Sequence, residues 1–259
     1  MRCYFLVEGR ASSGAGGGEA LIEVCGLAKE FSATVAVAEV SFKVAAGEVF
    51  GLLGENGAGK TTTLRMLATL LRPTRGSARI GGFDLVEEAA GVRRLLGLVF
   101  EGGLYERLSA RENIRYFGRL HGLEGSRLEE RVEAVLAALA MTEYADRRTG
   151  KLSKGMRQKV VIARALVHDP PILLMDEPTA GLDITAARQV YAFIEQARRQ
   201  GKTVVFSSHN MAEVERLCDR VAVMHRGRIV AEGTVAQLMG ACGTDRFEDA
   251  FVRLLGEES

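Results

Sequence analysis

No two of the four cysteines (Cys3, Cys25, Cys218 and Cys242) stand in CxxC spacing, so no dithiol or zinc-knuckle pattern is written in them. They read as free thiols of a reducing cytosol. Nor does any uninterrupted apolar run approach the roughly 20 residues that a bilayer-crossing helix requires, which means that a membrane role needs a partner chain. Net charge is nearly absent as well, since 34 Lys and Arg against 33 Asp and Glu leave +1 at a pI near 7.7. That balance carries no electrostatic footprint of general nucleic-acid binding, and no nucleic acid is expected among the partners. The opening stretch MRCYFLVEGRASSGAGGGEA also lacks a long apolar segment, because Glu8 and Arg10 follow Val7 at once. It reads poorly as a secretory signal, and its Gly/Ser/Ala composition predicts a flexible N-terminal extension over residues 1–20.

What is present is ample apolar material. At 259 residues, 47% hydrophobic and 26% charged, the chain can bury a substantial core and reads as soluble and globular. LIEVCGL and VAEVSFKV are strand-like, and Gly47-Glu48 precede a buried run, VFGLLG. A helix should follow from Thr61 to Leu71, stopped by Pro73. SARIGGFDL and LLGLVF (Leu95 to Phe100) read as further short strands. The texture then changes. Ser109 and Glu112 form a capping-box pair, with Ile114, Phe117 and Leu120 on one helical face, and Ser126 and Glu129 repeat the signature before Val132, Leu136 and Leu139. Residues 104 to 168 therefore read as helical, inserted between strand-rich segments. Beyond them come a buried strand ending in two carboxylates (PILLMDE, Pro171 to Glu177), a helix closing at Gly201, a strand ending in His209 (TVVFSSH), and a hairpin turning near Arg226-Gly227. This alternation predicts an α/β fold with a mainly parallel sheet and a helical insert.

The stretch GLLGENGAGKTTTLRML carries the first chemistry. Gly54, Gly59, Lys60 and Thr61 fit G-x-x-x-x-G-K-[ST], with Glu55, Asn56, Gly57 and Ala58 inside the loop and Thr62 just after it. Glycines let consecutive backbone N–H groups turn inward around phosphate oxygens, and the following helix points its positive end at them. Lys60 would reach the outer phosphates and the Thr61 hydroxyl would ligate Mg²⁺. A magnesium-nucleotide site needs a further acid for the metal and one to activate water. Asp176 and Glu177, at the end of a buried strand, supply both. His209 should stand on a neighbouring strand end of the same sheet, placed to touch a terminal phosphate.

With KLSKGMRQKVVIARAL between these groups, the chain resembles the ATP-binding subunit of ABC transporters from about Leu21 to about Met239. The resemblance implies a P-loop NTPase core with an N-terminal antiparallel β part and a helical subdomain at about 101–168. The ATP-binding domain would span 21–240, and the 241–259 tail would carry a short helix (RFEDAFVRLL). It implies that Ser153, Lys154, Gly155 and Met156 belong to the signature motif, which touches ATP held by a second subunit. Ser153 would open a helix whose N-terminus favours an anion. It implies further that Asp183, in AGLD, lies in the loop between subunits. Phe31 either stacks on adenine, as in the family, or is a core aromatic.

Three departures from the family pattern stand out. Lys154 replaces the first Gly of the usual LSGGQ and Met156 its Gln, a variant similar to signatures of drug- and sodium-exporting subunits. Glu101 stands where the family has a Gln that touches Mg²⁺ and relays to the membrane subunit, and its carboxylate is a harder metal ligand that would also repel the terminal phosphate. The extension at the N-terminus is not covered by the resemblance. The expected function is an ATPase that hydrolyses ATP with Mg²⁺ to energise a separate membrane permease, by the resemblance an exporter. It would act as a pair with a second ATP-binding subunit, on the cytoplasmic face of the membrane. A soluble ATPase of the same type acting on ribosomes or DNA is the alternative, weakened by a single phosphate loop and the lack of heptads. A regulatory module without turnover is a third reading, opposed by the intact Asp176, Glu177 and His209.

Overall fold

The computed structural model describes residues 20–100 and 102–256. The expected N-terminal extension (residues 1–19) and Glu101 therefore lie outside the described residues. Ala20, which the sequence reading placed in that extension, opens the first strand.

One ten-stranded sheet organises the chain. Its strands are β1 (Ala20–Phe31), β2 (Thr34–Ala45), β3 (Val49–Leu53), β4 (Arg75–Ile80), β5 (Phe83–Asp84), β6 (Leu96–Val99), β7 (Ile172–Asp176), β8 (Thr203–Ser208), β9 (Arg220–His225) and β10 (Arg228–Gly233). They lie in the order β5-β4-β1-β2-β10-β9-β3-β8-β7-β6. The pairs from β9 through β3, β8 and β7 to β6 are parallel, whereas β5-β4-β1-β2 is antiparallel, as is the β9–β10 hairpin. The division follows from sequence. β3 (VFGLL) is buried at all five positions and β8 at all six, the continuous burial of strands covered on both faces. In contrast, the second half of β2 alternates buried and exposed, as a strand with one covered face does.

Helices pack on both sides of the parallel part. After β3 comes α1 (Lys60–Leu67), and before β6 comes α2 (Ala89–Leu95), which the sequence reading did not anticipate. The insert holds α3 (Ala110–Leu120), α4 (Gly125–Ala138), two 3₁₀ turns and α5 (Lys154–Leu166). Then follow α6 (Ile184–Arg199), α7 (Met211–Leu217), α8 (Val235–Cys242) and α9 (Phe247–Leu255), the last being the helix expected in the tail. Among the described residues no helix is long and apolar enough to cross a membrane.

Two helix ends differ from the sequence reading, each for a local reason. α1 stops at Leu67, short of Leu71, because Thr69 turns left-handed (φ 58°) and a double hydrogen bond closes the helix. The Leu70 amide donates to the Arg65 carbonyl (2.9 Å) and the Thr69 amide to that of Met66 (2.9 Å), a Schellman closure built on Thr where Gly is usual. Ser126 does not cap α4. That helix is entered from Glu124 because the apolar Leu123 and Leu128, flanking the entry, both sink into the insert's core and fix the approach. The first capping box does form, with Ser109 Oγ accepting from the Glu112 amide and the Glu112 carboxylate accepting from the Ser109 amide (2.7 Å). As read from the sequence, Gly201 (φ 76°) turns the chain out of α6 immediately after its last capped position.

Candidate active site

Sheet order brings the chemistry together. β8 lies between β3 and β7, with Leu53 opposite Ser208 and Asp176 opposite Ser207. The loop after β3, the carboxylates at the end of β7 and His209 after β8 therefore emerge from three adjacent strand ends, where ligands of α/β sheets bind.

The loop from Gly54 to Gly59 is shaped by backbone crowding. A Cβ on Gly54 would lie 2.4 Å from the Met224 carbonyl oxygen, and one on Gly59 (φ 104°) 2.7 Å from that of Ala36. Both positions demand glycine. The β9–β10 turn braces the loop, since the Gly227 amide donates to the Ala58 carbonyl (3.0 Å) while the Gly227 carbonyl accepts from the Ala38 amide (2.8 Å). α1 begins at Lys60 with no side-chain cap and no acidic residue in its first turn. Its positive end is thus not already satisfied by a carboxylate, which suits an incoming anion.

Lys60 is only 4% exposed. Its ammonium donates to the carbonyls of Gly54 (2.7 Å) and Glu55 (2.9 Å) and lies 3.7 Å from Glu177 Oε1. Burial lowers its pKa, and the nearby carboxylates of Glu177 and Asp176 pull against that. The Thr61 hydroxyl donates to Asp176 Oδ1 (2.9 Å), and the Ser207 hydroxyl donates to the same oxygen (2.7 Å). Ser207 Oγ also accepts from the Glu177 amide (2.9 Å), so one hydroxyl fixes both acids. Glu177 itself has φ 43°, a left-handed conformation that costs about 1–2 kcal/mol outside glycine. Its Oε2 is 3.3 Å from His209 Nδ1, within hydrogen-bond reach when that nitrogen carries the proton. The donor set of Thr61 and Asp176, hard oxygens alone, fits a magnesium ion completed by substrate phosphate oxygens. Among the described residues no cluster of three or more His, Cys, Asp or Glu could hold a metal by itself.

The remaining sequence candidates lie apart from this centre. Ser153 caps α5, its Oγ accepting from the Met156 amide (3.3 Å), and is exposed together with Lys154. A Cβ on Gly155 would meet Ala186 at 3.0 Å, so the start of α5 lies against the start of α6, which Asp183 caps through the Ala186 amide (2.9 Å). Gln158, one turn further along α5, donates to the Pro178 carbonyl (2.8 Å) and hooks that helix to the segment after Glu177. No hydrogen bond among the described residues joins Ser153 to the phosphate loop of its own chain. Phe31 is 43% exposed at the end of β1, with the Lys29 ammonium 5.0 Å from its ring centre, so the core alternative is excluded. Beyond Glu101, the buried Arg164 of α5 reaches Gly102 and Gly103, donating to both carbonyls. Sequence reasoning missed Ser207, Gln158, Arg164 and Glu213. Serine and glutamine carry no spacing signal, but a Glu four residues after His209 was open to inspection.

The model of the ABC transporter family matches residues 37–180, more than half of the chain. This chain belongs to the ABC transporter family. The ABC transporter ATP-binding protein NatA of Bacillus subtilis is 51% identical over 78% of this chain and 83% of its own length. A Nod factor export ATP-binding protein I of Paraburkholderia xenovorans is 40% identical over 86% of this chain and 74% of its own. A solved dimeric ATP-binding cassette in a post-hydrolysis state, bound to ADP and Pi, superposes with a TM-score of 0.75 at 26% identity, covering 82% of this chain and 98% of the other. The ABC protein described here is therefore an ATP-binding, ATP-hydrolysing transporter subunit with the P-loop NTPase fold. The ribosome- or DNA-directed alternative is set aside.

Proposed function

We propose that this ATPase subunit powers export through a separate membrane permease, working as a pair that clamps two MgATP molecules. The observation that carries the reading is the convergence of Lys60, the Thr61–Asp176 contact and the Glu177–His209 pair on three neighbouring strand ends. Residues of the loop from Gly54 to Thr62 cradle the phosphates, and Phe31 offers an exposed ring to the adenine. Thr61 and Asp176 would hold Mg²⁺, which would supply charge neutralisation for the phosphate oxygens, and Glu101 is a further candidate ligand by its place in the sequence. Glu177 takes a proton from the attacking water, and His209 holds Glu177 and the terminal phosphate in line. Nearly all of this is positioning and charge stabilisation, as expected for phosphoryl transfer.

The exposed Ser153, Lys154 and Asp183 support the pairing, since they present a helix start and a loop to solvent instead of to their own phosphate loop. In the pair they would face the nucleotide of the mate, as the resemblance to the family implies. Export is supported by the Nod factor export relative. The permease would meet the helical insert, where Tyr105, Tyr116 and Leu120 are exposed, the two tyrosines edge to face at 5.0 Å. That contact would hold the subunit at the cytoplasmic face of the membrane.

Glu177→Gln tests the core of this reading. The variant should retain ATP and pair, while phosphate release falls by roughly 10²–10⁴-fold, the usual worth of a general base. Near-normal release would show that another group activates the water. Co-purification of the tagged subunit with an integral membrane protein tests the permease assignment.

A further inference from the structure

A second carboxylate joins the segments that carry Glu177 and His209. Glu213, in the first turn of α7, is 6% exposed. A buried carboxylate is costly unless its oxygens are satisfied. Here three hydroxyls satisfy them, each from a different element. Ser208, at the end of β8, donates to Oε2 (2.8 Å). Tyr191 of α6 donates to Oε1 (3.0 Å), and so does Thr179, from the loop between Glu177 and Asp183. The positive end of α7 adds to the stabilisation of the anion. Burial, followed by the charge of Glu213, pushes the Tyr191 hydroxyl up to about 12, so it remains a donor across the physiological range.

Both branches of this cluster run into the reaction centre. On one side, Ser208 Oγ also accepts from the Asn210 amide (2.9 Å), closing a turn around His209. On the other, Thr179 accepts at its carbonyl from the Leu182 amide (3.1 Å), and Glu177 accepts at its carbonyl from the Ala180 amide (3.0 Å). Thr179 thus sits within the turn that keeps Glu177 left-handed and leads to Asp183. Glu177 and His209 meet at 3.3 Å, and Glu213 ties their two loops together. We infer that Glu213 is a positioning residue for hydrolysis, which sets the distance between Glu177 and His209 by holding Thr179 and Ser208 on one carboxylate.

This inference rests on the assignment of Glu177 and His209 made above. It predicts a particular pattern of kinetics, because a displacement of about 1 Å in a reacting group costs on the order of 10²-fold in rate without weakening ground-state binding. Glu213→Ala should lower kcat by roughly 10- to 100-fold, with KM for ATP changed by less than about twofold. Glu213→Gln, which keeps the volume and one acceptor oxygen, should recover part of the loss. Ser208→Ala and Thr179→Val should each lower kcat on their own, and in the Glu213→Gln background each should lower it by less than it does alone, because the link is already weakened there. Steady-state phosphate release and fluorescent-ATP titration on the full chain read these quantities.

Wild-type kcat in both Glu213 variants overturns the inference, and so do rises in KM that match the losses in kcat, or losses that simply multiply with Ser208→Ala. Should Glu213→Ala fail to fold, Glu213→Gln with the two hydroxyl variants carries the same test. Glu177→Gln, measured alongside, separates the two assignments. Normal hydrolysis in that variant removes the reading of the base, whereas slow hydrolysis there with normal hydrolysis in both Glu213 variants removes only the positioning role.

Discussion

Lowering the pH from 7 to 5 should weaken the fold by about 2 kcal/mol through a single imidazole, that of His168. The ring lies between α5 and β7, stacked on His121 with centroids 3.5 Å apart and planes 2° from parallel. Its Nε2 is 3.1 Å from the Leu96 carbonyl oxygen, and its buried Nδ1 has no partner among the described residues. The neutral tautomer with the proton on Nε2 fits this arrangement, whereas a second proton would put an N–H where nothing accepts it. Burial first, then the neighbouring His121, lower the pKa from 6.5 to about 4. Arg131 acts in the same direction; the Leu96 carbonyl and Asp169 oppose it. The unfolded chain takes up a proton as the pH falls through 6.5, but the folded chain does not until about 4. The unfolded state binds more protons throughout that window, so stability falls with pH across it and this contribution levels off below. For a chain of this size the loss between pH 7 and 5 corresponds to about 4–8 °C in Tm. Thermal scans of wild type and His168→Gln at both values provide the assay, because the Gln amide can still donate to Leu96 but does not titrate. The variant should lose several degrees less than wild type on acidification. An equal loss in both refutes the argument.

Three further outcomes follow from the site. Lys60→Ala removes two hydrogen bonds to the loop and the cation facing Glu177, and should weaken nucleotide binding by roughly 10- to 100-fold in a fluorescent-ATP titration. Ser207→Ala frees both Asp176 and the Glu177 amide, and should raise the Mg²⁺ concentration for half-maximal hydrolysis by about 10-fold, as the loss of a group that orients a ligand does; an unchanged Mg²⁺ titration would count against that role. Gly59→Ala forces a Cβ towards the Ala36 carbonyl at positive φ and should cost about 1–3 kcal/mol in a denaturant titration.

Much of this architecture was legible in the chain. The phosphate loop, the Asp176-Glu177 strand end and the Ser153 cap each depend on neighbours within a few residues, so local pattern was enough to find them. The helix stop at Thr69 was hidden because a β-branched residue holds a conformation that normally advertises itself with Gly. The false start at Ser126 arose because apolar anchoring by Leu123 and Leu128 outweighed a polar capping signature. Ser207 and Glu213 were invisible for a different reason. Their importance comes from strand order and register, which place Ser207 against Asp176, and from a convergence of Thr179, Tyr191 and Ser208 that no linear spacing encodes. The parallel contact of β10 with β2, a single residue pair joining the antiparallel and parallel halves, was equally beyond pattern reading.

Arg164 has a mechanical consequence. It grips the Gly102 and Gly103 carbonyls from the far end of the same helix that Ser153 begins, about 16 Å and three turns away. A rod of that length hardly bends, so a tug on the glycine pair swings the other tip as a lever arm does. Under the pairing and permease contact proposed above, push from the membrane side and grip on the mate's nucleotide would be geared to one another through a single stiff shaft.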